Sequence, residues 1–161
     1  MALTAGDTVP DVTLMTPTAD GPKSVQSAET LGTGTVVLFG VPGAFTPACS
    51  DTHLPGYVLR AEELKEKGVD TVACTAVNDA FVLGAWSEAR NADDSVLMLA
   101  DGNADFAKAA GLDMDGSKFG LGTRSRRYAT IIKDGVVQWI GVEDAPPNVD
   151  VSGVESVLKQ L

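Results

Sequence analysis

Apolar positions along the chain change period several times, and each change marks an element. Val9 to Met15 reads as a short strand, followed by a turn at Asp20-Gly21-Pro22. Val36 to Val41 is the longest apolar run, rich in β-branched and aromatic residues, as expected of a strand buried on both faces. It stops at Pro42, and Thr46-Pro47 then offers an N-cap and a first helical residue. Leu54, Val58, Ala61 and Leu64 form a helical stripe that ends at Gly68, with Pro55 expected to kink the helix. Val69 to Val77 is a second strand, and Asn78 or Asp79 caps a helix running to about Arg90. The buried side of that helix is expected to carry Phe81, Val82, Ala85, Trp86 and Ala89. A third strand, Val96 to Ala100, and a short helix, Asp105 to Ala110, follow. Arg127 to Ile132 and Val136 to Val142 then pair through the hairpin signal Asp134-Gly135. Ser152 is the expected cap of a last helix reaching Leu161. The order β-α-β-α-β-α-ββ-α specifies an α/β fold, a central mixed β-sheet flanked by helices on both faces, with residues 1–161 as a single domain.

Composition narrows the function classes. The 161 residues carry 12 basic and 22 acidic side chains, a net charge of −10 that opposes nucleic-acid backbones and anionic lipid. No apolar run is long enough to span a bilayer, so neither nucleic acid nor membrane is an expected partner. The opening MALTAGDTVP has neither a basic nor an apolar leader region, and two cysteines do not make a secreted disulfide scaffold. The expectation is therefore a cytoplasmic location. One histidine, His53, and two cysteines are a poor metal-ligand set, which leaves thiol chemistry without a metal.

In open α/β sheets the reactive crevice lies beyond the carboxyl ends of the parallel strands. The segment leaving Val36–Val41 contains Cys49, which the Thr46 cap places in the first helical turn. Free backbone N–H groups and the positive end of the helix dipole favour a thiolate there. The strand after Arg127 should run antiparallel to Val36–Val41, which brings its beginning beside the end of the cysteine-bearing strand. Strand alternation turns Arg126 away from Arg127. Arg127 is thus the leading partner for Cys49, and Arg124 the second, with loop anchoring as its other role.

The string Pro42-Gly43-Ala44-Phe45-Thr46-Pro47-Ala48-Cys49-Ser50 resembles the peroxidatic loop of peroxiredoxins, Pro-x-x-x-Thr-x-x-Cys. With His53-Leu54-Pro55-Gly56-Tyr57 it is similar to the atypical type II (peroxiredoxin-V-like) branch of the redoxin group. Ala73 to Val82, Gly120 to Tyr128 and Ala5 to Pro10 agree, so the resemblance extends over Gly6 to Leu161. It implies a thioredoxin-like fold and thiol-dependent reduction of hydrogen peroxide and alkyl hydroperoxides. Cys49 matches the peroxidatic cysteine, Thr46 the hydroxyl that orients peroxide, Pro42 the residue shielding the thiolate, and Arg127 the catalytic arginine. Ala48, Gly43, Phe45, His53 and Arg124 are the supporting candidates. Ala48 stands where some relatives have glycine. Cys74 matches the resolving cysteine proposed for plant-type members, although its place in a buried strand reads more readily as core. A homodimer is implied by the same resemblance.

An unperturbed cysteine of pKa ~8.5 is about 3% thiolate at neutral pH, so activation alone gains at most ~30-fold. A lower pKa also weakens the nucleophile, so most of the rate must come from aligning the O–O bond and stabilising the leaving oxygen. No bound cofactor is expected. Regeneration falls either to Cys74, after local unfolding, or to an external thiol: glutathione with glutaredoxin, or thioredoxin. The external route is the favoured expectation. Thiol–disulfide exchange is the competing enzyme class, but Cys49-Ser50-Asp51-Thr52 is not Cys-x-x-Cys. A redox sensor relaying oxidation to a partner is the non-enzymatic alternative.

Overall fold

A computed structural model describes residues 2–161. In chain order its elements are β1 (Thr13–Thr16), β2 (Lys23–Gln26), α1 (Ser27–Thr30), β3 (Thr35–Val41), a π-helical turn (Cys49–His53), α2 (Leu54–Leu59) and α3 (Ala61–Glu66). Then follow β4 (Thr71–Ala76), α4 (Ala80–Ala89), β5 (Leu97–Ala100), α5 (Asp105–Ala109), β6 (Asp113–Asp115), a 3₁₀ turn (Ser117–Phe119) and β7 (Thr123–Ser125). β8 (Tyr128–Lys133), β9 (Val136–Val142) and α6 (Val154–Gln160) complete the chain. Seven strands form one mixed sheet in the order β2-β1-β5-β4-β3-β8-β9, while β6 and β7 pair separately.

β3 lies inside the sheet because its residues are apolar on both sides of the pleat. Val37, Phe39 and Val41 enter a core shared with Tyr57, Leu64, Leu83, Trp86 and Val157, from helices α2, α3, α4 and α6. Val36 and Leu38 point the other way, into a core with Leu31, Leu99, Phe106 and Tyr128. The period of two thus builds a helix-covered layer on each face. β3 runs parallel to β4 and antiparallel to β8, in a register that sets Gly40 opposite Tyr128. Glycine is required there, since a Cβ at residue 40 would collide with the Tyr128 ring. The β8–β9 turn has Asp134 at φ 48° and Gly135 at φ 83°, the two positive values that a tight hairpin of this twist needs.

Several boundaries differ from the sequence expectation. The first strand is only Thr13–Thr16, because Ser27 satisfies the preceding backbone instead: its Oγ accepts from Val12 N and donates to Pro10 O. β2, β6 and β7 are short and have no apolar alternation to announce them. The long helix after Cys49 is three pieces, a π turn, α2 and α3, separated at Arg60. Ser152 does not cap the last helix. Gly153 stands at that position, and Ser152 bonds Glu143. α4 is also rotated from its expected face, burying Ala80, Leu83, Trp86 and Ser87 and leaving Phe81, Ala85 and Ala89 exposed. The rotation gives buried polar atoms partners: Trp86 Nε1 donates to Ser50 Oγ (2.9 Å) and Ser87 Oγ to Asp93 Oδ1 (2.6 Å).

Candidate active site

The site forms where β3 and β4 end and β8 begins. Pro42 has no N–H and ends the β3 ladder, releasing the chain into a loop held from outside at Ala44 and at Pro42. Ala44 N donates to Asn78 Oδ1 (2.9 Å), beyond the end of β4. Arg124 donates through Nη1 to the carbonyls of Pro42 (3.4 Å) and Val77 (3.3 Å), and through Nε to Leu121 O (2.9 Å). Arg124 is therefore the loop anchor rather than a partner of the sulfur. Gly43 leaves room for it, since a Cβ there would lie 3.0 Å from Arg124 Nη1 and 3.3 Å from Thr46 Cγ2. Phe45 has φ 65°, a left-handed backbone unusual for a bulky residue, and its side chain turns outward, 52% exposed.

Thr46 does not cap the helix with its side chain. Its hydroxyl donates to Gly43 O (2.6 Å), and its carbonyl accepts from Ser50 N (2.9 Å). Helical backbone begins at Pro47, and Cys49–His53 widens into the π turn, where Leu54 N donates to Cys49 O. Pro55, next in line, has no N–H to give Asp51, so ordinary i→i−4 bonding cannot pass through this point. The π turn buries Cys49, Ser50 and His53 together.

Arg127, one residue before β8, meets them from the neighbouring strand. Its Nη2 lies 3.0 Å from Cys49 Sγ, its Nη1 2.9 Å from His53 Nδ1, and its Nε donates to Pro146 O (2.7 Å). The expected proximity of the start of β8 to the end of β3 is what makes this meeting possible. Arg126 turns aside and reaches Glu143 O (3.3 Å). Among the described residues, the buried guanidinium of Arg127 has no carboxylate within ion-pair distance. Of its three side-chain nitrogens, only Nη2 faces the sulfur.

His53 Nε2 lies 2.9 Å from Ser152 O, and a carbonyl only accepts, so Nε2 carries the proton. Nδ1 is then the lone pair that receives Arg127. Burial, and secondarily the Arg127 charge, lowers the imidazole pKa from 6.5 to about 3, against a smaller opposing effect of the Ser152 bond. His53 is therefore a neutral acceptor at physiological pH. Its ring leans on Phe39 (centroids 4.9 Å apart), which itself stacks on Tyr57 at 4.1 Å.

A cavity of about 510 Å³ opens beside this cluster, with Pro42, Thr46, Ala48, Arg127, Phe119 and Pro146 in its wall. Of the sequence candidates, Pro42, Thr46, Ala48 and Arg127 face the cavity, whereas Gly43, Phe45, His53 and Arg124 do not. Cys49 itself has no exposed surface and lies behind that wall. Cys74 sits in β4 opposite Phe39, fully buried in the same core as Cys49, and both thiols are free. Burial pushes the Cys74 thiol well above its ordinary pKa; the Cys49 charge adds to this and Arg127 opposes it. Sequence reasoning missed Ser50, Glu143, Pro146 and Ser152. Ser50 ends the loop string and Ser152 reads as a helix cap, but no pattern gives any of the four a role at the site, and only the fold brings them here.

The Redoxin family model matches residues 4–158. Peroxiredoxin-2E-2, chloroplastic, of Oryza sativa subsp. japonica is 48% identical over 99% of this chain and 72% of its own length. Among solved structures, reduced Prx3 of Vibrio vulnificus in complex with hydrogen peroxide superposes with a TM-score of 0.92 at 50% identity, covering 98% of this chain and 95% of that one. Peroxiredoxin 5 of Alvinella pompejana gives 0.86 at 32% identity, over 98% and 96%. A cysteine met by a buried guanidinium, on a thioredoxin-like mixed sheet, thus sits in a chain that belongs to the redoxin family as a type II peroxiredoxin, a thiol-dependent peroxidase.

Proposed function

We propose that Cys49 is the sulfur that attacks peroxide and that Arg127 is its electrostatic partner. The 3.0 Å approach of Arg127 Nη2 to Sγ, by a buried cation with no carboxylate partner among the described residues, carries this reading. Cys49 thiolate gives an electron pair to the terminal peroxide oxygen as the O–O bond breaks. The departing hydroxide or alkoxide takes a proton and leaves as water or alcohol, and the sulfur becomes a sulfenic acid. Arg127 borders the cavity and is the donor available to the peroxide oxygens, while the Thr46 hydroxyl, whose proton is held by Gly43 O, offers its lone pairs to the peroxide O–H. Pro42 and Ala48 complete the wall and limit water around the sulfur.

An external thiol, glutathione with glutaredoxin or thioredoxin, then condenses with the sulfenic acid, releasing water. A second thiol displaces the mixed disulfide and restores Cys49. The depth of Cys74 and the upward displacement of its pKa make it a poor internal nucleophile, which supports the external route. Phe45, Phe81 and Phe119 are 52%, 74% and 77% exposed. All three belong to the site end of the molecule, two of them following the ends of β3 and β4 and one lining the cavity, and they support a homodimer formed there. Two free thiols suit a reducing compartment such as the cytosol.

The test is single-turnover oxidation by one equivalent of hydrogen peroxide, followed by mass analysis with and without glutathione. Cys49→Ser should abolish oxidation, and Arg127→Ala should slow it about 10²- to 10³-fold. A +16 Da product that glutathione converts to a mixed disulfide supports the external route, whereas a Cys49–Cys74 disulfide without glutathione defeats it. Full reactivity in Cys49→Ser, or a change under threefold in Arg127→Ala, overturns the corresponding assignment.

A further inference from the structure

Glu143 follows the last residue of β9, and its buried carboxylate makes no ion pair among the described residues, although Arg126 donates to its backbone carbonyl (3.3 Å). One oxygen, Oε2, accepts three hydrogen bonds: from Asp150 N (2.7 Å), Ser152 N (2.7 Å) and Ser152 Oγ (2.6 Å). These bonds tie both ends of the segment 143–152 together. Two carbonyls of that segment face the site. Pro146 O accepts Arg127 Nε, while Ser152 O accepts His53 Nε2 and the Tyr57 hydroxyl (2.6 Å). Glu143 N also donates to Arg127 O (2.9 Å), so the clasp begins on the arginine's own backbone. Among the described residues, every side-chain hydrogen bond of Arg127 other than that to the sulfur is therefore made to this segment or to the imidazole it orients.

We infer that Glu143 is a positioning residue for peroxide reduction: by closing the 143–152 segment it aims Arg127, through Pro146 and through Ser152 and His53, at the Cys49 sulfur. This rests on the reading of Arg127 given above. A guanidinium held at Nε and Nη1 has its plane fixed, and only Nη2 is left for the reacting centre. A carboxylate suits the task because an ionised oxygen can gather three donors, whereas an amide brings a competing N–H₂ and no charge.

The experiment compares Glu143→Gln in the parent protein and in Arg127→Ala, reading single-turnover consumption of hydrogen peroxide by the reduced protein. His53 is the single histidine, so its ring nitrogens report the local geometry without ambiguity in ¹H–¹⁵N spectra. Folded Glu143→Gln should be slowed about 10- to 100-fold in the parent and less than about threefold in Arg127→Ala, with the His53 Nε2–H signature altered. Equal slowing in both backgrounds, or an unslowed variant with unchanged His53 signals, overturns the inference. Should Glu143→Gln fail to fold, Ser152→Ala, which removes only one of the three donors, is read in the same two backgrounds with a smaller effect expected only in the parent. Normal peroxide consumption by Arg127→Ala alone would overturn the role of Arg127 itself, an outcome separate from failure of the clasp.

Discussion

Replacing the single histidine isolates one component of acid sensitivity. Folded His53 takes up a proton only near pH 3, whereas in the unfolded chain it does so below about 6.5. Below 6.5 the unfolded state therefore holds the extra proton, and stability falls as the pH falls. Each pH unit in that window costs about 1.4 kcal/mol, so going from about pH 7.5 to about pH 5 removes about 2 kcal/mol. That is a large share of the 5–15 kcal/mol typical of a domain. The loss continues until the folded imidazole also protonates, near 3. His53→Gln keeps a neutral donor for Ser152 O and removes the titration. Asp101, whose pKa burial raises, acts with the opposite sign but equally in both proteins, so it cancels in the comparison. Urea unfolding of the reduced proteins at the two pH values should show the parent losing about 2 kcal/mol more than the variant. Equal losses would mean that His53 is not held neutral by its surroundings, and the assignment of Nδ1 as the acceptor for Arg127 would fall with it.

Two further outcomes follow from burial. Cys74 should resist alkylation in the folded, reduced protein and react only in denaturant, and Cys74→Ala should leave the first oxidation of Cys49 within about twofold. Peptide mapping after maleimide treatment and single-turnover kinetics check both, and rapid native labelling of Cys74 would contradict its placement. Ser50→Ala should cost about 1–3 kcal/mol in urea unfolding, because it strands the buried Trp86 N–H. Trp86→Phe adds a cavity cost of its own, but the double variant should lose less than the sum of the two single losses; strict additivity would show that the bond contributes nothing.

The two ends of the site differ in how legible they were in the sequence. Val36–Val41, the Asp134-Gly135 turn and the antiparallel return of β8 are written in local period and turn chemistry, and together they bring Arg127 to Cys49. The faces of α4 are not, because Phe81 and Trp86 are both aromatic and only the indole needs an acceptor, which Ser50 supplies from 36 residues away. Thr46 misled for a similar reason. A threonine before proline at a helix start is a good cap, but here the loop bends far enough for the hydroxyl to donate to Gly43 O instead. Glu143 and Ser152 carry no motif at all, since their importance lies in contacts made 9 residues apart and then relayed to His53 across 99.

The placement of charge explains why an acidic chain can leave its buried arginine without a carboxylate. At an effective dielectric near 20, unit charges about 4 Å apart interact by about 4 kcal/mol, so an Asp or Glu in direct contact with Arg127 would rival the sulfur for the same cation. At position 53, which touches the guanidinium, the chain carries an imidazole whose burial keeps it uncharged, and beside Nε it offers a backbone carbonyl. The carboxylate closest to this arrangement in the hydrogen-bond chain, Glu143, is separated from Arg127 Nη1 by Ser152 and His53, and the oxygen facing Ser152 already has three donors. Negative charge thus sets the geometry of the arginine from a distance, while neutral groups hold it. The position facing Nη2 is left to Cys49 and, in the mechanism proposed above, to the oxygen that departs during turnover.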